Sequence, residues 1–293
     1  MRASPESLER CEEALAVFHQ CMNDLSDTCV RLFDQAQEKT LASETLRVLS
    51  RYQFDRSAAA YTLITHRMVW DAEIIVRVIY ETASKVIFIG AHQPPDRDEL
   101  IKEYWETLPA IFDRKGAAKA EDAEKLRRKF ADNADDIRIF RHLRNPVIFN
   151  IEAIGNKKFR DEVERRWSFT EIIKELIRNS DRHVTVHGLE ALSHMYGVAS
   201  HLAHASPKAL DLLEDRATRQ EDLVSLEAGH ICRMLSDIVL MSCFSIRFSR
   251  RVVDGGAELT EHLDAFVTKI LAATKNLQEE FARSQDDFYS QYE

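Results

Sequence analysis

The sequence predicts an all-α fold, a bundle of about nine to ten helices around a central hydrophobic helix near residues 68–92. Three observations carry this. Eight glycines and six prolines in 293 residues are too few for a chain of many hairpins. Alanine, leucine, glutamate and arginine, all strong helix formers, dominate the composition. Apolar residues recur at helical rather than alternating spacing along most of the length.

Each element follows from local signals. Ser4 and Pro5 form an N-cap and first-turn proline, followed by an amphipathic run through Leu8, Leu15, Phe18, Met22, Leu25 and Leu32. Periodicity resumes from Ala42 through Leu63. A strongly apolar segment from Met68 to Ala91 then stops at Pro94 and Pro95. A charged stretch predicts helices over Asp98 to Leu108 and Glu121 to Leu143, with a break near Pro109 and an end at Asn145 and Pro146. Residues 147–158 fit either a short strand or irregular cover. Helices follow around Arg160 to Arg166, Thr170 to Arg178, Thr185 to His204, Pro207 to Glu214 and Leu223 to Val252. Gly255 and Gly256 precede a last amphipathic helix over 259–290. Residues 1–293 read as one helical domain, with 97–145 as a charged projection. A single body of this length would bury roughly three quarters of its unfolded surface.

Composition narrows the function. A formal charge of −9 argues against broad attraction to phosphate or anionic lipid. The five cysteines are odd in number and form no CxxC pair, so neither a disulfide framework nor a zinc ribbon is expected, and a reducing cytoplasm fits best. The opening residues contain no apolar signal core. The uncharged run Ile238 to Ile246 is far shorter than the roughly twenty residues a membrane helix needs, so no membrane association is expected.

Candidate chemistry concentrates in three places. Glu73, Arg77, Glu81 and Lys85 fall four apart on the apolar helix and form a ladder of alternating charge. A solvated stripe is the ordinary reading of such a ladder, and a cleft-facing one the sharper. Five of the eleven histidines lie between His183 and His204, where imidazole is suited to proton transfer. Within "YGVASHLAHAS", Tyr196, Ser200 and His204 are spaced by four and share a face. Ser206 and Pro207 read there as the cap of the next helix, with His204 in the last turn before it. His201 and His204 have no third ligand nearby in sequence, so no metal site and no cofactor is expected. Arg182 and His187 match the arginine-to-histidine spacing of HEPN-type ribonucleases, a pattern short enough to arise by chance. Arg138, Arg141 and Arg144 share a stripe that would suit phosphate, as do Arg247, Arg250 and Arg251. Acids one turn earlier and the lack of interleaved aromatics favour a solvated face for the first set.

The stretches "RVIYETASKVIFI", "ERRWSFTEIIKEL" and "YGVASHLAHASPKAL" together resemble a prokaryotic helical family known only as a domain of unknown function. The resemblance covers residues 77–210 and picks out Arg77, Glu81, Trp167, Tyr196, Ser200, His204 and Ser206. It implies a helical architecture in which Arg77 and His204 meet, and names no activity. A remoter similarity to HEPN proteins implies RNA or nucleotide as a partner and a stress or phage-defence setting, although His204 has no arginine four to six residues before it. Two expectations follow. One is a noncatalytic binding or assembly module, dimeric, with a polar site between the helices of Arg77/Glu81 and Tyr196/His204. The other is a HEPN-like ribonuclease or nucleotide-acting enzyme in which His204, Arg77, Glu81, Tyr196 and Ser200 form the catalytic set.

Overall fold

A computed structural model describes residues 5–130, 152–179, 189–218, 223–254 and 256–290. Helices make up the regular structure, and no strand occurs among the described residues. They run in the order α1 (Pro5–Asp34), α2 (Leu41–Thr65), α3 (Val69–Ala91), α4 (Asp96–Lys102), α5 (Leu108–Arg127), α6 (Lys157–Arg166), α7 (Phe169–Arg178), α8 (Leu189–Ala203), α9 (Pro207–Thr218), α10 (Leu223–Arg250) and α11 (Leu263–Tyr289). No helix is long and apolar enough to cross a membrane among the described residues.

The chain divides into two compact units, residues 1–91 with 172–293, and residues 92–171. In the first unit α3 packs against α2, α8 and α10, while α10 also meets α1 and α11. Helix α3 is rich in valine and isoleucine, which are mediocre helix formers in isolation. Burial compensates: Ala72, Val76, Ile79, Tyr80, Ala83, Val86, Ile87 and Ile89 are all at 0 % exposure. A helix apolar nearly all round belongs in the middle of a bundle, as the sequence predicts. Gly90 allows a close approach of backbones, because a Cβ there would stand 2.6 Å from the carbonyl oxygen of Phe248 on α10. Between α2 and α10 the fully buried Gln53 is satisfied by Ser242 at 3.3 Å and Ser245 at 2.6 Å. A buried amide left unpaired would be strongly destabilising, so this pairing fixes the register of the two helices.

The second unit corrects the expected break near Pro109. A π-helical turn, Glu103–Thr107, joins α4 to α5, and the helix continues through the proline. The wider turn accommodates the ring and the missing N–H, so α5 begins at Leu108 rather than near residue 121. Residues 131–151, which hold the end of the expected second helix, lie outside the described residues. Asn156 caps α6 by accepting from the Lys158 N–H at 2.9 Å, with a 3₁₀ turn over Glu152–Gly155 before it. Glu103, on the π turn, accepts from the Trp167 indole at 2.7 Å and from Arg166 at 3.1 Å. That places the tryptophan singled out by the resemblance inside this unit.

Candidate functional site

Two polar clusters form on neighbouring faces of α3, and both use residues from the predicted charge ladder. Residues four apart on a helix are displaced by about 40° per step, because four residues overshoot one turn of 3.6. Over eight residues the stripe winds by about 80°. Glu73 therefore faces α10, whereas Arg77 and Glu81 face α8.

The α3/α8 cluster joins three of the predicted site residues. The Arg77 Nη2 donates to the Tyr196 hydroxyl at 3.2 Å, and that hydroxyl donates to Glu81 Oε1 at 2.8 Å. Arg77 also forms an ion pair with Glu81 at 3.2 Å and lies 5.0 Å from the centre of the Tyr196 ring. Burial and the Glu81 carboxylate raise the Tyr196 pKa, with Arg77 opposing. The hydroxyl thus stays protonated and serves as a donor. Lys85, next on the ladder, has its pKa lowered by burial, an effect that Glu81 partly offsets.

His204 and Ser200 are placed differently. Helix α8 ends at Ala203, so His204 lies one residue beyond the last turn that the sequence assigns to it. Ala205, with φ of 45°, makes the left-handed turn. The Ser206 N–H bonds back to the His201 carbonyl at 3.1 Å and the Ala205 N–H to Leu202 at 3.2 Å, a Schellman stop. His204 is exposed, and eight residues separate it from Tyr196, about 12 Å along a helix axis. Ser200 is half-buried, and its carbonyl accepts from the His204 N–H at 3.2 Å. The reading of Ser206 as a cap agrees with the structure: its hydroxyl accepts from the Ala209 N–H at 3.4 Å.

The α3/α10 cluster is larger and deeper. Glu73 is fully buried, and its Oε1 accepts from Arg233 and from the His230 Nδ1, the latter at 3.0 Å. Arg233 also reaches the Tyr80 hydroxyl and the Asp237 carboxylate, each at 2.8 Å, and Tyr80 donates to Asp237. The Trp70 ring meets the edge of His230 with centroids 4.9 Å apart. Burial works against the charge of Glu73, yet Arg233 and the His230 hydrogen bond outweigh it and leave its pKa lowered. Asp237 goes the other way, since burial raises its pKa and Arg233 and Tyr80 only partly offset that. Glu73 Oε2 and Arg233 Nε are buried without a hydrogen-bond partner. Sequence reading noted Glu73 and missed the rest. The available signal was spacing: Glu73 and Tyr80 are seven apart on α3, while His230, Arg233 and Asp237 fall at i, i+3 and i+7 on α10.

The basic clusters divide. Arg138, Arg141, Arg144, Arg182 and His187 lie outside the described residues. On α10, Arg247 pairs with Asp264 at 2.8 Å, Arg250 donates to the Val253 carbonyl at 3.3 Å and Arg251 stacks on Phe248. The four buried cysteines and the half-buried Cys11 are free thiols. Burial pushes Cys29, Cys232 and Cys243 up to about 12, which makes them core residues rather than nucleophiles. No group of three or more histidine, cysteine or acidic side chains suited to a metal occurs among the described residues.

No curated protein and no solved structure matches the chain. Residues 45–221, more than half of the chain and including both partners of the α3/α8 cluster, match the model of a family of unknown function, and the chain belongs to that family, DUF5677.

Proposed function

We propose that the protein is a noncatalytic helical binding or assembly module that acts as a homodimer, with the polar contact between α3 and α8 serving to pin α8. The observation that carries this reading is how Arg77 is engaged. Its guanidinium is held by Glu81 and by both the hydroxyl and the ring of Tyr196. An arginine neutralised in this way positions a helix; it is not poised for a phosphate. A HEPN-like ribonuclease would need Arg77 beside His204, and the imidazole instead follows the α8 stop.

Dimerisation is favoured by the outer face of α1 and α2. Leu41, Val48 and Tyr52 recur along one stripe of α2 at 63 %, 45 % and 46 % exposure, and Val30 on α1 is 55 % exposed. Two grooves of about 330 and 240 Å³ adjoin there, sharing Ser26 and Phe54. Arg47 and Arg51 line the first groove together with Asp34 and Asp55. Both signs of charge on one face suit a twofold contact with a second copy, in which each acid meets a base.

Two experiments test the reading. Purified protein, His204→Ala and Arg77→Ala are each incubated with a mixed RNA pool, and their melting is recorded. The expected result is no cleavage, a lower melting temperature for Arg77→Ala and an unchanged one for His204→Ala. Cleavage abolished in both folded variants would overturn the reading in favour of a nuclease. Sedimentation is expected to give twice the 33.8 kDa chain mass, falling to the monomer in Val48→Asp. A monomeric parent protein would remove the assembly part.

A further inference from the structure

Helix α8 lines a cavity with residues other than Tyr196. His194 and His201, seven apart, line a cavity of about 370 Å³ together with Gly197, Val198 and, from α9, Lys208 and Leu212. A Cβ on Gly197 would meet nothing within 4 Å, in keeping with open space beside it. The volume lies in the range that small-molecule sites occupy.

The polar side chains among the residues that line this cavity all carry nitrogen. His194, His201 and Lys208 line it, and no carboxylate does so among the described residues. Lys208 stands in the first turn of α9, which contains no acid, and makes no ion pair among the described residues. A cation there adds to the positive end of the helix dipole, an unfavourable placement unless an anion is seated nearby. Ser206 fixes the adjacent imidazole. Its hydroxyl accepts from the Ala209 N–H at 3.4 Å and shares a hydrogen bond with His201 Nδ1 at 3.0 Å. In the tautomer with its hydrogen on Nε2, this imidazole offers the cavity a second donor. The carbonyls of Ser200, His201 and Leu202 at the end of α8 each accept a backbone N–H. Val198 and Leu212 supply an apolar wall.

We propose that this cavity binds a small organic anion, with a phosphate or carboxylate head at Lys208 and His201 and an apolar body against Val198 and Leu212. The site goes beyond the assembly reading and does not depend on it: a monomer that bound the anion would remove the dimer and leave the site. The test is titration of the full chain followed by the histidine ring signals in NMR, with phenyl phosphate, phenylacetate and uncharged benzyl alcohol as probes. At least one of the two anions is expected to shift the His194 and His201 rings saturably, and which of them binds tighter identifies the head. Benzyl alcohol is expected to bind at least tenfold more weakly than that anion. Lys208→Ala and His201→Ala, both at exposed positions and therefore expected to fold, should each lower the affinity at least tenfold. Rings unmoved by both anions, equal binding of benzyl alcohol, or parental affinity in Lys208→Ala would overturn the proposal.

Discussion

The two polar clusters on α3 differ chiefly in depth. On the α10 side Glu73 is fully buried and shares a network with Arg233, His230, Tyr80 and Asp237. On the α8 side, Arg77 and Glu81 keep 22 % and 32 % of their side-chain surface exposed and meet through one tyrosine. The same kind of ion pair therefore does different work on the two sides. In the interior, removing one partner strands a charge with no water to take its place, so the network is conditional on all its members. At the rim, solvent replaces a lost partner, and the contact contributes position more than stability.

The largest expected effect is at Glu73. Glu73→Ala strands Arg233 between α3 and α10 and should lower stability by about 3–5 kcal/mol in urea denaturation, as for other broken buried pairs. A loss below about 1 kcal/mol would show that water enters this junction and the contrast with α8 is false. Tyr80→Phe removes one hydroxyl that bridges Arg233 and Asp237, and a loss of about 1–3 kcal/mol is expected by the same measurement. Tyr196→Phe, at the α8 side, should lose only about 0.5–1.5 kcal/mol. His204→Ala is expected to stay within about 0.5 kcal/mol of the parent, as for a surface position away from any network.

Acid titration sharpens the comparison within the buried cluster. The pKa of Glu73 is lowered on folding, so its contribution is complete above the unfolded carboxyl value of about 4.3 and is lost as pH falls through the lower folded value. Asp237 is raised, so it opposes folding above its folded pKa, and this penalty disappears as pH falls below its unfolded value of about 3.9. Stability measured from pH 7 to pH 3 should therefore fall more steeply in Asp237→Asn than in the parent. The absence of any such steepening would contradict the assignment of opposite shifts.

Much of the architecture was legible because burial leaves a direct mark on composition. The apolar run at 68–91 and the helix start at Ser206 and Pro207 both emerged from residue type and spacing. The turn at 103–107 did not, since Pro109 in isolation is a breaker and only the preceding π turn allows the helix to continue. The pairing of Arg77 and Glu81 followed from their spacing of four. The role of Tyr196 as their bridge depends on α8 meeting α3, which no local pattern contains. Glu73 shows the same limit from the other side. Its place on the ladder was clear, but its partners lie some 160 residues away on α10, whose long apolar character masked His230, Arg233 and Asp237.

The central claim is that Arg77 is held by Tyr196 in a closed contact. A double-mutant cycle of Arg77→Ala and Tyr196→Phe, read by urea denaturation, tests it most directly. The account predicts a coupling of about 0.5–3 kcal/mol between the two changes, because each removes the other's partner. Strict additivity would mean that the two side chains do not depend on each other, and the α3/α8 contact would no longer explain why Arg77 stands where it does.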